Sequence, residues 1–194
     1  MAKSKLSRLL ERIRACEICT EDLPLGPRPV LRAHPSSRIL IIGQAPGTAV
    51  HASGIPWDDP SGRRLRQWLD VSEALFYNEE VFGIVPMGFC YPGKGKGGDL
   101  PPRPECAPEW HPALLELMPK VELILLIGRY ALDRYLTLPR SQTLTQTVQA
   151  YREFAPKFLP LPHPSPRNNR WIKNNPWFEA EVVPYLRERI KRSL

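Results

Sequence analysis

The sequence predicts an α/β fold: a three-layer sandwich in which a central, mostly parallel four-stranded sheet is flanked by helices. Short apolar runs without polar alternation recur along the chain, as expected of strands buried on both faces. Segments with helical periodicity lie between them, and strands alternating with helices close into a parallel sheet covered on both sides. A length of 194 residues suits one domain, 1–194, with a full hydrophobic core.

The elements follow in order. Leu6, Leu9, Leu10 and Ile13 recur at helical spacing among Arg and Glu, so the N-terminus reads as an amphipathic helix. The Met-Ala-Lys-Ser-Lys segment before it lacks the apolar run of a signal peptide. After a proline-rich loop, Arg38–Gly43 is an apolar run closed by glycine, a buried strand. Ser61–Val71 is a helix and Val81–Val85 a second strand. A helix over Ala107–Met118 precedes the strongest strand, Val121–Ile127, which Gly128 closes; a helix over Arg129–Leu136 follows. Thr137–Pro156 is polar and poorly periodic, which predicts a surface excursion, and Lys157–Leu161 is the fourth strand. In the last helix Asn175 is the expected N-cap and Pro176 the first helical residue. Pro184 is expected to bend it by removing a backbone donor. The 23 prolines predict stiff, irregular loops between these elements.

No stretch reaches the ~20 apolar residues that cross a bilayer, so a membrane role is not expected. An intracellular, cytoplasmic protein is expected, nucleoid-associated in use, with reduced cysteines and a monomeric state. The formal charge of +7 is compatible with nucleic acid, and its distribution says more. Arg63, Arg64 and Arg66 open one helix, Lys94 and Lys96 lie in a glycine-rich loop, and Arg167, Arg170 and Lys173 follow a His-Pro-Ser-Pro segment. These clusters predict a face that tracks phosphates.

All four cysteines fall in one pattern: Cys16-x-x-Cys19, then Cys90 and Cys106. Four thiolates suit zinc and an iron–sulfur cluster almost equally, and buried, unrelated cysteines are the plain alternative. Loops leaving the carboxyl ends of parallel strands build the ligand crevice, and two loops qualify. Gly43-Gln44-Ala45-Pro46-Gly47 follows the first strand, without the spacing of a Walker or dinucleotide loop, and His163-Pro164-Ser165-Pro166 follows the last.

These residues together make the chain resemble the uracil-DNA glycosylase superfamily over nearly its whole length. Gly43–Gly47 resembles the first signature and His163-Pro-Ser-Pro-Arg-Asn168 the second. The latter is closer to the single-strand-selective branch, whereas the cysteine spacing resembles the 4Fe-4S branch, family 4. The resemblance implies a 4Fe-4S cluster on Cys16, Cys19, Cys90 and Cys106, with zinc the lesser candidate, in a structural role. It also implies DNA as partner and a base flipped into a pocket. There Trp57 stacks on the base, and Gln44, Ala45 and Asn168 bind it. Ser165, Arg167, Arg170, Lys94 and Lys96 contact the DNA. His163 donates a hydrogen bond to the departing pyrimidine, where negative charge develops.

The sequence also departs from that pattern. Family 4 carries Glu at Gln44 and Asp at His51. The water-activating Asp of the best-known uracil enzyme corresponds to Ala45, and the Asn that reads the uracil edge corresponds to Pro86. His51, Asp58 and Asp59 are the substitutes to direct water. No lysine matches a catalytic role, so Schiff-base chemistry is not indicated. The expected activity is monofunctional hydrolysis of the N-glycosidic bond of a deaminated base, most simply uracil, in base-excision repair. A non-catalytic damaged-DNA-binding protein on the same fold is the alternative, and a zinc-stapled hydrolase of small nucleosides a third.

Overall fold

In the computed structural model, which describes residues 3–194, the four apolar runs pair into one sheet. Met1 and Ala2, at the head of the segment weighed as a signal peptide, lie outside the described residues. In chain order the strands are β1 (Ile39–Ile42), β2 (Phe82–Ile84), β3 (Lys94–Gly95), β4 (Gly98–Asp99), β5 (Leu123–Ile127) and β6 (Phe158–Leu161). The large sheet has the order β2-β1-β5-β6, and all its pairings are parallel. β3 and β4 form a separate two-residue antiparallel hairpin. The helices are α1 (Lys5–Arg14), α2 (Thr48–Ser53), α3 (Pro60–Leu69), α4 (Glu73–Phe76), α5 (Cys106–Glu116), α6 (Arg129–Tyr135), α7 (Leu144–Gln149), α8 (Asn169–Asn174) and α9 (Val183–Ser193).

Strand side chains alternate between faces, so each apolar run serves two cores. Leu40, Ile42, Ile124 and Leu126 face one core, built with Leu6, Leu9 and Ile13 of α1, Leu114 of α5 and Leu132 of α6. Ile39, Ile41, Leu123, Leu125 and Ile127 face the other, with Leu65 and Leu69 of α3 and Leu186 and Ile190 of α9. This is the three-layer sandwich, and the double burial explains why the strands lack polar alternation.

The N-terminal loop is not slack. Arg32 exchanges backbone hydrogen bonds with Ile84, and the Val30 N–H donates to the Phe89 carbonyl at 2.8 Å. Residues 30–32 thereby cover the free edge of β2, which would otherwise expose unpaired backbone groups.

Two sequence expectations need correction, and the one for Pro184 gains a local account. Residues 137–156 are not a surface excursion. They contain α7, capped by a reciprocal Thr143–Gln146 box, and bury Thr147, Val148 and Tyr151. Its apolar residues are too few for the periodicity to register, and tertiary packing supplies the rest. Asn175 does not cap a helix with its side chain. Its amide Nδ2 donates to the Trp171 carbonyl at 2.7 Å, and its Oδ1 accepts from the Trp177 indole at 3.2 Å. Pro184 is accommodated by a π-helical turn over Phe178–Val182 just before α9, which opens the ladder where the proline has no N–H to give.

His111 of α5 is 2% exposed and spans the core between α6 and the loop after β2. Its Nε2 lies 3.0 Å from the Pro86 carbonyl, which can only accept, so Nε2 carries the proton. Nδ1 then accepts from the Tyr135 hydroxyl at 2.6 Å. Burial pushes this imidazole down to about 4 from its ordinary 6.5. The unfolded chain therefore binds a proton that the fold refuses. The corresponding stability is complete above pH 6.5 and drains away as pH falls toward 4, by about 3 kcal/mol. Urea unfolding of wild type at a series of pH values should show this loss, and His111→Gln should remove that part of the slope.

Candidate active site

The carboxyl ends of β1, β2 and β6 open onto one cavity of about 520 Å³. Beyond β1 and β2 the backbone pairing continues, with the Met87 N–H donating to the Gly43 carbonyl and the Gly88 N–H to Gln44, both at 2.9 Å. The first loop therefore leaves a rigid ladder. Gly43, Gln44, Ala45, Pro46 and Gly47 all line the cavity, facing His163, Ser165 and Asn168 from the loop after β6.

Trp57 stands between the two loops. Its ring centroid is 5.5 Å from that of His163, with the planes 33° apart. A Cβ on Gly43 would lie 2.9 Å from the indole, so only glycine lets the ring settle against β1's end. Trp57 itself has φ +60°, a left-handed conformation that costs a bulky residue of order 1–3 kcal/mol. The start of α3 over-determines it: Asp59 caps the helix through Gly62 N–H at 2.7 Å, and a Cβ on Gly62 would overlap the Trp57 carbonyl. Strain held this firmly marks a side chain whose placement matters.

The His163 tautomer is readable. Its Nδ1 accepts from the Ser165 backbone N–H at 3.2 Å, which leaves Nε2 protonated and free to donate. Burial holds the imidazole below its ordinary 6.5, with the Asp59 carboxylate pulling the other way. A neutral donor on a fixed ring is thus available to a group in the cavity. Asn168 supports that loop by donating from Nδ2 to the His163 carbonyl at 2.7 Å, which uses one of its two amide N–H donors.

The other predicted residues are distributed unevenly. Asp59 lines the cavity, but Asp58 is exposed and His51 lies outside it, its ring 6.2 Å from that of Tyr91. Gln44 lines the cavity while its Nε2 donates to the Leu100 carbonyl at 3.0 Å. Arg167 is exposed, and its Nη1 donates to the Gly97 carbonyl at 3.3 Å. Arg64 holds the Ser165 carbonyl at 3.3 Å and Arg66 pairs with Glu73, so of that trio only Arg63 is exposed. Lys94, Lys96 and Arg170 are exposed. Pro86, where an amide reader was expected, does line the cavity.

Sequence reasoning missed Asp99. It ends the β3–β4 hairpin, lines the cavity, and places its Oδ2 3.3 Å from where a Cβ on Gly47 would stand. The Gly-Gly-Asp run signals a turn, not a carboxylate aimed at a distant loop.

The four cysteines line a second hollow, with Leu23, Phe89 and Trp110. The Phe89 N–H donates to Cys106 Sγ at 3.3 Å. Burial pushes the Cys90 thiol up to about 11 and Cys106 up to about 12, and the neighbouring thiols add to both. Metal binding would relieve this by taking the thiolates. Among the described residues no His, Cys, Asp or Glu side chains close into a group tight enough for one ion. Four thiols around one hollow are a soft donor set of the kind that zinc and iron–sulfur sites both use.

Among the described residues no helix is long and apolar enough to cross a membrane. A solution structure of a candidate uracil DNA glycosylase from Methanosarcina acetivorans shares the fold, with a TM-score of 0.50 and 19% identity over 83% of this chain and 98% of that one. Residues 32–187, from the strand that covers β2 to the middle of α9, match the family profile described as the uracil DNA glycosylase superfamily. With the match spanning the sheet and both motif loops of the cavity, this chain belongs to the uracil DNA glycosylase superfamily.

Proposed function

We propose that this chain is a monofunctional DNA glycosylase that hydrolyses the N-glycosidic bond of a deaminated base, most simply uracil, in base-excision repair. The observation that carries the reading is the neutral His163, with Nε2–H free beside Trp57 in a cavity at the sheet's carboxyl edge. A base rotated out of the stack would lie against the indole, where stacking is indifferent to sequence. As the bond from C1′ to the base nitrogen breaks, negative charge collects on the base and positive charge on the sugar. Nε2–H donates to the base oxygen where that charge develops. Water adds at C1′, and its proton leaves through a cavity carboxylate. Exposed Lys94, Lys96 and Arg170 supply the attraction for phosphates, so binding should weaken with salt.

Cys16, Cys19, Cys90 and Cys106 would hold a 4Fe-4S cluster. When bound, it cross-links the N-terminal segment to the loop after β2 and the start of α5, and it takes no part in the hydrolysis. Since Cys90 follows that loop by two residues from Gly88, the cysteines brace the wall that carries Pro86.

A second reading has one observation in its favour. Pro86 offers the cavity no side-chain donor, and its carbonyl is already engaged by His111. A protein that binds deaminated bases without turnover would tolerate that.

End-labelled single and double strands bearing uracil, hypoxanthine or xanthine decide between them. Abasic product from at least one lesion is expected, and tight binding without product at high enzyme would establish the second reading. His163→Ala should lower the single-turnover rate by ~10²–10³ with lesion binding largely kept. Because the neutral imidazole is the working form and its pKa is lowered, the rate should hold as pH falls to 6.5 and decline only below it. Anaerobically purified protein should be brown, with iron and sulfide in equal amounts and little zinc. Cys106→Ser should lose the colour and melt at a lower temperature.

A further inference from the structure

We propose that Asp99 is the carboxylate that orients the attacking water and takes its proton, an assignment that rests on the glycosylase reading above. Asp99 lines the same cavity as Trp57 and His163, and approaches from the hairpin wall with its Oδ2 against Gly47. That wall is clamped on both sides of the residue. Gln44 holds the Leu100 carbonyl at 3.0 Å and Arg167 holds the Gly97 carbonyl at 3.3 Å. The backbone that carries the carboxylate is thus held on both sides before substrate arrives, which helps to position a reacting group.

Its charge is also uncommitted. Lys94 is its cross-strand partner in the hairpin, yet among the described residues Asp99 joins no ion pair. The other cavity carboxylate, Asp59, spends Oδ1 on the Gly62 N–H and holds the Trp57 turn. Asp99 is moreover the one acid on a hairpin that carries two lysines, Lys94 and Lys96, all three exposed. On a wall that meets phosphates, a carboxylate opposes binding. It is accounted for if its benefit comes in the transition state, where the sugar becomes cationic.

The step balances without a co-reactant. The C1′–N bond breaks with its electron pair going to the base, whose oxygen accepts the hydrogen bond from His163. A water oxygen forms the new bond at C1′, one water proton passes to Asp99, and Asp99 then returns it to the departing base anion or to solvent. The products are an abasic sugar and the free base.

Asp99→Asn keeps the size of the side chain and removes the proton acceptor. Its single-turnover rate on the lesion that wild type processes, its affinity for that DNA, and its melting temperature form the test. A rate at least about 100-fold lower, with DNA bound as tightly as by wild type or more tightly and an unchanged melt, is expected. Asp99→Glu should recover part of the rate. A rate within threefold of wild type overturns the assignment and leaves the glycosylase reading standing. Loss of rate and affinity together with a lowered melt, repeated in Asp99→Ser, also overturns it and makes the residue structural. Absence of product from wild type overturns the glycosylase reading itself.

Discussion

The sheet is buried on both faces, and that constraint organises everything else in the molecule. With α1, α5 and α6 on one side and α3 and α9 on the other, every strand residue of the central layer except the half-buried Phe158 is buried. Only the carboxyl edge is open, where the parallel strands release their loops together. The candidate site lies at that edge, where backbone leaves regular pairing beside a cavity of about 520 Å³.

Rigidity at the edge comes from backbone pairing carried past the strand ends. The ladder between residues 43–44 and 87–88 holds the first motif, His111 ties the Pro86 carbonyl into the core, and Arg64 ties the second motif to α3. The strained Trp57 turn is a further expression of the same design. A helix start at Asp59 and two glycines without side-chain bulk stabilise a conformation that the residue alone would avoid. The outcome is a ring, a neutral donor and two carboxylates brought to one cavity by three separate segments of chain.

Much of the fold was legible because each strand is a short apolar run, and three of the four are closed by a residue that ends a strand: Gly43, Gly128 and Pro162. The motif loops were legible by their resemblance, and His163, Trp57, Gln44 and Asp59 do come together. His51 and Asp58 do not, because sequence adjacency to Trp57 says nothing of direction. Asp58 stands one residue outside the cap that turns Asp59 inward. Asp99 and His111 were illegible for the opposite reason. Their significance depends on contacts across 52 and 25 residues of chain, with Gly47 and with Pro86.

The sequence by itself determined the layers, the strands and the family, since hydrophobic period and local motif chemistry act over a few residues. Tertiary structure alone decided which acid faces the cavity, which nitrogen of His163 keeps its proton, and which arginines remain available for DNA. It also turned a featureless polar stretch into α7 and relieved Pro184 through a π-turn. These outcomes share one physical cause. Hydrogen bonds and burial between distant segments set the direction and ionisation of a polar side chain, and neither is written in its immediate neighbours.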